Sequence, residues 1–389
     1  MKGRDAPPVG PEDWGLYVHF PYCASKCPYC DFNSHVSAHD DRAYADAVLA
    51  ELQARKPAKP PPPLRTLFFG GGTPSRWAPA QVARVIDAVT LWFDVHEQFE
   101  ITLEANPGST DLARFAAFRE AGVNRFSIGC QSFIDTELQW LERTHDAKTA
   151  TRAVETALAT GARVSLDVMY GLPGQSWSAA RTTLDHAVTL GTEHVSAYAL
   201  TLEPGTVLTQ RVALRQVTPM QDDQQAELYQ RVTDNLQSAG LLRYEVSNYA
   251  RLGAESLHNL LYWQGGAYLG LGAGAHSYLP TEDGRAVRSE AVRNPAAYLE
   301  AAGSGRFPTR ALRRLTAGEV LKDRCAVGFR SRWGMERSAF SDHPWARKAE
   351  ADLVREDLIT LDARIRPTPR GFIFNDRIAL AFLESVVDD

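Results

Sequence analysis

Short apolar segments alternate with longer amphipathic segments between residues 15 and 205. The short segments are rich in β-branched and aromatic residues, as strands are, and the longer ones repeat apolar residues at helical spacing. Six strands are predicted, at Gly15–Phe20, Leu64–Phe69, Gln98–Leu103, Arg125–Ile128, Arg163–Tyr170 and His194–Leu200. Helices are predicted between them at Asp40–Arg55, Pro79–Phe93, from a cap at Ser109–Asp111 to Ala121, Thr149–Thr160 and Ser178–Leu190. This alternation indicates parallel β/α units.

Glycine and polar residues collect directly after the predicted strands, at Gly70–Thr73, Glu104 and Gln131. The carboxyl ends of parallel strands are where β/α proteins bind their ligands. A complete eight-unit barrel needs two further repeats, which the pattern does not contain, so we predict an incomplete (β/α)6 barrel of the TIM type. An open Rossmann-type sheet is the alternative. A G-x-G-x-x-G motif after the first strand would favour it, but cysteines occupy that place.

The pattern changes after Gly205. A polar helix is predicted at Met220–Ala239 and a strand at Leu242–Ser247. The C-terminal part is predicted to contain helices near Glu319–Arg330 and Trp345–Glu356, a hairpin near Ile359–Arg366 and a last helix near Asn375–Val387. We therefore predict a flexible N-terminus (1–14), a barrel core (15–205), a barrel extension (206–305) and a C-terminal α+β domain (306–389) that resembles a winged helix.

Composition limits the function classes. The chain has 389 residues, of which 44% are hydrophobic and 23% charged, which is ordinary for a globular protein. The net charge of −5 does not suggest a nucleic-acid surface. No apolar run approaches the ~20 residues that span a bilayer, and the first residues lack a signal-peptide core. These features predict a cytoplasmic protein, in which the isolated Cys130 and Cys325 are buried and inert.

Cys23, Cys27 and Cys30 are spaced as C-x3-C-x2-C after the first predicted strand. Three cysteines on a [4Fe-4S] cube leave one iron without a protein ligand, and an open metal position is where chemistry takes place. The alternatives are a zinc site, with His19 or His35 as the fourth ligand, and a disulfide with a spare thiol. The cysteines alone do not decide between iron and zinc.

Other candidates lie at the ends of the later strands. Gly70–Pro74 exposes backbone groups to close approach, Glu104 follows strand 3, and Gln131 follows strand 4. Asp167 lies inside an apolar strand, where a carboxylate needs a partner. The first three also have a purely structural explanation: a tight turn for Gly70–Pro74, a helix cap for Glu104 and a hydrogen-bonded turn for Gln131. For Arg143 the alternative is a surface arginine. Their common place at successive strand ends favours a shared ligand site.

These residues carry a resemblance to a known family. The cysteine spacing with an aromatic residue before the last cysteine resembles the cluster motif of the radical S-adenosylmethionine (SAM) family, in which the open iron binds SAM and the reduced cluster cleaves it to a deoxyadenosyl radical. Tyr17–Cys30, Gly70–Pro74, Glu104–Pro107, Gln131, Arg143 and Asp167–Gln175 resemble its oxygen-independent coproporphyrinogen III oxidase group over nearly the whole chain. The resemblance implies SAM contacts from Tyr17, Tyr29, Gly71, Gly72, Thr73, Glu104, Gln131, Arg143 and Asp167.

Two features depart from the oxidases. They carry a fourth cysteine two residues after the third, where this chain has Phe32, and they have a longer segment before the cluster than the 22 residues that precede Cys23. Both departures match a sister branch of heme chaperones, which also carries the motif H-N-x-x-Y-W. By that resemblance His258, Asn259, Tyr262 and Trp263 bind heme. The alternative is a core histidine packed beside two aromatic residues.

The resemblance implies a heme chaperone with a [4Fe-4S] cluster, SAM and heme. Its partners would be heme-acceptor proteins, which include membrane-bound respiratory enzymes as candidates, and its location would be the cytoplasm or, through such partners, the membrane surface. The alternative is an enzyme that oxidatively decarboxylates coproporphyrinogen III. Radical modification of tRNA is disfavoured by the acidic charge. Whether the chain forms a homodimer, and whether SAM is cleaved, stays open.

Overall fold

A computed structural model describes residues 6–57, 59–307, 309–341 and 343–383. The first six strands are β1 (Trp14–Phe20), β2 (Leu64–Gly71), β3 (Val95–Ala105), β4 (Arg125–Gln131), β5 (Arg163–Tyr170) and β6 (His194–Ala199). The helices that accompany them are α1 (Asp41–Arg55), α2 (Pro79–Trp92), α3 (Leu112–Glu120), α4 (Asp135–Trp140), α5 (Ala147–Ala159) and α6 (Trp177–Thr189). The six predicted strands and their helices are thus confirmed, with ends shifted by a few residues; the short α4 was not predicted.

The middle of the chain adds further elements to the same body. These are α7 (Val207–Ala213), α8 (Asp222–Ser238), β7 (Leu242–Arg243), β8 (Asn248–Ala250), α9 (Leu257–Trp263), β9 (Ala267–Leu271), β10 (His276–Pro280), β11 (Ala286–Ala291), α10 (Pro295–Gly303) and β12 (Thr309–Leu315). The strand predicted at Leu242–Ser247 is wrong in its extent. The backbone turns between β7 and β8, where the buried Glu245 carboxylate accepts a hydrogen bond from the Ser247 amide at 3.1 Å.

One twelve-stranded sheet organises these elements, in the order β12-β11-β10-β9-β1-β2-β3-β4-β5-β6-β8-β7. Strands β1 to β6 pair in parallel in chain order. Strand β9 pairs in parallel with the other side of β1, and antiparallel strands extend the sheet beyond β9 and β6. The predicted α/β class with six parallel units is confirmed. A seventh parallel strand was not predicted because β9 lies in a glycine-rich stretch and does not follow the six regular β/α repeats.

Burial explains why the parallel strands read as apolar runs. Leu16, Val18 and Phe20 of β1 and Leu67 and Phe69 of β2 are fully or almost fully buried. Parallel strands are covered on both faces, here by helices on one side and by inward-facing side chains on the other. The large apolar cluster formed in this way holds the strand ends in a fixed arrangement.

The C-terminal part has a small core of its own. Its elements are α11 (Ala317–Gly328), β13 (Met335–Glu336), α12 (Ala346–Arg355), β14 (Ile359–Leu361), β15 (Arg364–Pro367), α13 (Pro369–Ile373) and α14 (Asn375–Leu383). Strands β13, β15 and β14 form a separate antiparallel sheet, which contains the predicted hairpin. The last helix was predicted to end near Val387, and its residues after 383 lie outside the described part of the chain.

The segment before β1 is partly anchored. Val9 is buried in a cluster with Tyr244 and Trp333, and Arg65 donates a hydrogen bond to the Pro8 carbonyl at 2.9 Å. Residues 1–5, which belong to the predicted flexible N-terminus, lie outside the described ranges. In the described ranges, no helix is both long and apolar enough to cross a membrane.

Candidate functional site

The cysteine loop connects β1 to α1 and lies at the carboxyl end of the parallel strands. Its two ends are held together, because the Cys23 amide donates to the His35 carbonyl at 3.0 Å and the His35 amide donates to the Pro21 carbonyl at 2.7 Å. Cys23, Cys27 and Cys30 are half-buried free thiols. All three line one cavity of about 700 Å³, which we call the cluster cavity. This volume is that of a small-molecule site.

The cluster cavity brings together eight of the nine residues that the sequence predicts to contact SAM. They come from the cysteine loop, the ends of four successive strands and the segment after α4, and they are Tyr29, Gly71, Gly72, Thr73, Glu104, Gln131, Arg143 and Asp167. The ninth, Tyr17, lies on the neighbouring strand face, where its hydroxyl is 2.9 Å from Nδ1 of His19. Tyr198, at the end of β6, also lines the cavity and was missed. Its position one residue before the end of a parallel strand could have indicated it.

The glycine run fits the strand end against the cysteine loop. A Cβ atom on Gly72 would lie 2.8 Å from the Tyr22 carbonyl oxygen, and Gly71 has a φ of 115°, which favours glycine. The Thr73 amide donates to the Tyr22 carbonyl at 2.9 Å. The Gly71 amide donates to the Glu104 carboxylate at 3.0 Å, so the run also positions the first polar group of the next strand.

The donors around the cysteines fit an iron–sulfur cluster. The Thr73 hydroxyl donates to Cys23 Sγ at 3.4 Å and the Arg143 guanidinium donates to Cys27 Sγ at 3.3 Å, and such donors stabilise thiolates. Burial raises the pKa of Cys30, so a thiolate there needs a positive partner such as iron.

The zinc alternative fits the structure less well. His19 has both ring nitrogens in hydrogen bonds, to the Tyr17 hydroxyl at 2.9 Å and to the Asn33 carbonyl at 2.8 Å. Nε2 of His35 lies 3.3 Å from Oδ1 of Asn33. Across residues 6–383 as described, no three His, Cys, Asp or Glu side chains meet around a point that would hold one metal ion. A cube binds each thiolate through a different iron, so its cysteines stand further apart than zinc ligands do.

Two buried carboxyl groups define the electrostatics of the cluster cavity. Burial, with the nearby Asp167, raises the pKa of Glu104 to about 8. Burial raises the pKa of Asp167 to about 6, although the Ser127 hydroxyl donates to it at 3.2 Å. A bound cation lowers such a pKa by favouring the charged form. The cavity therefore suits a ligand that carries positive charge and hydroxyl groups, as the ammonium, sulfonium and ribose of SAM do.

Arg143 offers the matching donor for a carboxylate. Its Nη2 atom donates to the Gly129 carbonyl at 2.9 Å, and its Nε is buried and has no hydrogen-bond partner among the described residues. Gln131 has a φ of 68°, which is unusual for a residue other than glycine and turns its side chain back toward Gly129. An arginine with an unused donor at the edge of a metal site can hold an anionic group of the ligand.

A second cavity of about 510 Å³ adjoins the first, and we call it the tyrosine cavity. Tyr262, Tyr268 and Tyr278 form its wall, and Phe32, Gly71 and Glu104 line both cavities. Phe32 is 60% exposed, which is unusual for a phenylalanine. The position at which the oxidases carry a fourth cysteine is thus an apolar surface between two cavities.

The four residues of the predicted heme motif do not share one surface. They lie on α9, which begins after a Ser256 cap. His258 is buried, with Nδ1 at 2.7 Å from the Thr66 hydroxyl and Nε2 at 2.7 Å from the Tyr262 hydroxyl, and burial lowers its pKa to about 3. Tyr262 faces the tyrosine cavity, whereas Trp263 lines a third cavity under the N-terminal segment. Asn259 is half-buried, and its backbone amide donates to the Ser256 hydroxyl at 3.4 Å.

Comparison with known proteins identifies the family. Residues 17–187 match the model of the radical SAM superfamily. The chain is 37% identical to the mitochondrial "radical S-adenosyl methionine domain-containing protein 1" of Bos taurus, over 98% of this chain and 90% of that protein. It is 34% identical to "heme chaperone HemW" of Mycobacterium tuberculosis over 97% of this chain and 96% of that protein, and 39% identical to the Escherichia coli protein of the same name over 73% and 75%.

The fold comparison agrees. The solved structure of the Escherichia coli coproporphyrinogen III oxidase HemN, a radical SAM enzyme, matches with a TM-score of 0.76 over 95% of this chain and 90% of that one, at 22% identity. The predicted fold, an incomplete radical SAM barrel with a C-terminal extension, is therefore confirmed. Membership of the radical SAM superfamily implies a [4Fe-4S] cluster and SAM, and Cys23, Cys27 and Cys30 line the cluster cavity. The chain belongs to the HemW family of radical SAM proteins.

Proposed function

We propose that this protein is a heme chaperone, which binds heme in the tyrosine cavity and delivers it to acceptor hemoproteins. Relatives that share a third or more of its residues over most of its length are named heme chaperones. Membrane-bound respiratory enzymes are the acceptors that we consider first, and a homodimer is one of the forms in which the protein would act. Both remain to be tested.

The observation that carries this proposal is Phe32. The fourth cysteine of the oxidase motif is replaced by an exposed ring that lines both cavities. Apolar surface exposed at a cavity is typical of a ligand site, and a porphyrin macrocycle presents a large flat apolar face. The replacement removes a sulfur donor from the cluster loop and adds a contact for an aromatic cargo.

In this proposal the cluster cavity holds the resident cofactors. Cys23, Cys27 and Cys30 would bind three irons of a [4Fe-4S] cluster, and a cluster held in this way would leave one iron open to SAM and would supply electron-transfer chemistry. Arg143 would hold the SAM carboxylate with its free Nε donor. Glu104 would accept the SAM amino group.

The other residues of the cluster cavity would complete the SAM site. Gln131 and Asp167 would bind ribose hydroxyls, and Tyr29 would stack on adenine. Gly71, Gly72 and Thr73 would bring the backbone close to SAM, and the Thr73 hydroxyl would continue to donate to Cys23.

Within the predicted heme motif, Tyr262 is the residue that would contact heme in the tyrosine cavity. Tyr262 faces the tyrosine cavity, and the hydrogen bond from His258 holds its ring in place. Both ring nitrogens of His258 are already engaged, so His258 supports the wall, and heme ligation by His258 would require that both bonds break. Trp263, over whose ring the Arg330 guanidinium lies at 5.8 Å, would act by fixing α9 against the C-terminal part of the chain.

The runner-up is the decarboxylation of coproporphyrinogen III. The similarity to that oxidase is one of fold, and at 22% identity it gives no argument for the reaction. To separate the two, the protein is reconstituted anaerobically with iron and sulfide and divided into two samples. One is titrated with ferric heme and followed by the Soret absorption, and the other is incubated with coproporphyrinogen III, SAM and a reductant.

The proposal expects a shifted Soret band that saturates with heme and no vinyl-containing product. An established coproporphyrinogen oxidase serves as the positive control for turnover. Conversion of the porphyrinogen by this protein at a comparable rate would contradict the chaperone proposal and support the enzyme.

A further inference from the structure

The tyrosine cavity lies between the cysteine loop and the antiparallel extension of the sheet. Its wall comes from α9, which carries the predicted heme motif, and from β9, β10, β11 and α11, which the sequence did not assign to a site. The rings of Tyr262 and Tyr268 are 4.5 Å apart at 74°, and those of Tyr268 and Tyr278 are 6.3 Å apart at 32°. These aromatic side chains give the cavity an apolar wall, which suits contact with a macrocycle.

Three histidines lie at or beside this cavity, and two of them are engaged. His19 and His258 use both ring nitrogens in hydrogen bonds within the protein. The third, His276 at the start of β10, has a side chain that is 60% exposed and forms no hydrogen bond within the described part of the chain. An axial heme ligand needs a ring nitrogen with a free lone pair, and His276 is the histidine of this wall that offers one.

The surroundings of His276 favour the neutral imidazole. Partial burial lowers the pKa of His276, and Arg293 acts in the same direction against the opposing Glu290 carboxylate. Nε2 of His276 lies 3.9 Å from this carboxylate, beyond hydrogen-bond distance, so the carboxylate does not occupy the ring nitrogen. Burial raises the pKa of both Tyr268 and Tyr278, which disfavours their phenolates as competing ligands.

Charged residues at the rim match the propionates of heme. Arg288, Arg293 and Arg324 line the cavity, together with Asp31 and Asp323. Arg288 is bound to Asp323 at 3.1 Å and Arg293 to Glu290 at 2.6 Å. Arg324 forms no ion pair with any residue that the structure describes, so its guanidinium is available to a carboxylate of the ligand.

The two cavities are also tied to each other. The Asn33 side chain, which follows Phe32 in the cysteine loop, donates to the carbonyls of Ala273 and Arg293 at 3.0 Å each. Gly274 packs on this side chain, because a Cβ atom there would lie 2.3 Å from Asn33 Nδ2. The loop that carries the cluster cysteines is therefore held against the strands that carry His276.

We propose that His276 is an axial ligand of heme iron in the tyrosine cavity and that Arg324 binds a propionate at its rim. The inference rests on the proposed heme-binding function and deepens it, since it moves the ligand from the recognisable sequence motif to a residue 18 positions later.

The test uses the full-length protein with its reconstituted cluster. Wild type, His276→Ala, His258→Gln and Arg324→Gln are each titrated with ferric heme and, separately, with metal-free protoporphyrin IX, and absorption and fluorescence quenching report binding. Metal-free protoporphyrin fills the cavity without an iron bond, so it separates ligation from packing. His96→Ala, which lies at the start of β3 outside both cavities, is the matched control.

We expect His276→Ala to weaken heme binding by roughly tenfold or more and to move the Soret maximum, while protoporphyrin binding changes by less than about twofold. Added imidazole should restore the wild-type Soret maximum in His276→Ala. Arg324→Gln should weaken the binding of heme and of protoporphyrin by similar factors. His96→Ala should bind both as wild type does.

An unchanged heme spectrum in His276→Ala, or the same loss in His258→Gln, would overturn the assignment while leaving heme binding by this protein intact. Failure of the wild type to bind heme would overturn both the assignment and the proposed function. A thermal unfolding curve for each variant shows that the measured differences come from folded protein.

Discussion

Nε2 of His258 lies 2.7 Å from the Tyr262 hydroxyl, one helical turn further along α9. The His258 ring is also stacked on Phe68 with centroids 4.8 Å apart, and its Nδ1 atom is hydrogen-bonded to the hydroxyl of Thr66 on β2. The histidine of the heme motif is therefore part of the packing between α9 and the sheet.

Replacement of His258 by alanine should destabilise the protein. It removes two buried hydrogen bonds and a stacked ring, so the free energy of unfolding should fall by about 2–4 kcal/mol. Urea denaturation followed by circular dichroism measures this, with His96→Ala as a control that changes it by less than about 0.5 kcal/mol. Unfolding of His258→Ala at the wild-type urea midpoint would show that the ring contributes no packing.

Phe32 can be tested against a neighbour with the same exposure. Phe32 and Val36 are both 60% exposed and lie in the same loop, but only Phe32 lines the two cavities. Phe32→Ala should weaken heme binding by about tenfold, since it removes apolar contact area from the ligand. Val36→Ala should bind heme as wild type does. Equal effects of the two substitutions in a heme titration would remove Phe32 from the site.

The cluster prediction concerns the three motif cysteines. Reconstituted wild type should contain about four irons and four sulfides per chain, and Cys27→Ser should lose most of both because a cube with two protein ligands is poorly held. Iron and acid-labile sulfide assays measure this.

Cys325→Ala serves as the control, because Cys325 is buried in the C-terminal core. This variant should keep the full cluster. Stoichiometric zinc without labile sulfide in the wild type would instead support the zinc alternative.

The pH dependence of stability follows from Glu104. Its pKa is about 8 in the folded protein against 4.5 for an ordinary glutamate, so between these pH values the folded state holds a proton that the unfolded state has released. Stability without ligands should therefore fall as pH rises through this window, by about 1.4 kcal/mol per pH unit for one group.

Glu104→Gln should flatten this fall, so that the variant gains on wild type from pH 5 to pH 8 in urea denaturation. The same substitution should weaken SAM binding in equilibrium dialysis. Glu203→Gln, at the rim of the same cavity, should keep the wild-type pH profile. A parallel pH profile for Glu104→Gln and wild type would contradict the role of this carboxyl group.

The candidate site could be predicted in large part because its signals are local. Cysteine spacing, glycine runs and polar residues at strand ends depend on the neighbouring few residues, and parallel strands bring their carboxyl ends together without further information. Eight of the nine predicted SAM residues accordingly line one cavity. Tyr17 lines the tyrosine cavity instead. The alternation of polar and apolar residues could not show which way its side chain points, since a parallel strand buried on both faces has apolar residues on both.

Short stretches of chain were enough to predict the six β/α units and to recognise the cysteine motif and the family resemblance, because periodicity and motif spacing are local properties. The tertiary structure decided which histidine faces the tyrosine cavity. His258 is held by Thr66, which is 192 residues away in the chain, and the His276 side chain forms no hydrogen bond with any residue that the structure describes. Burial and hydrogen-bond partners of this kind arise from long-range packing, and no local pattern encodes them.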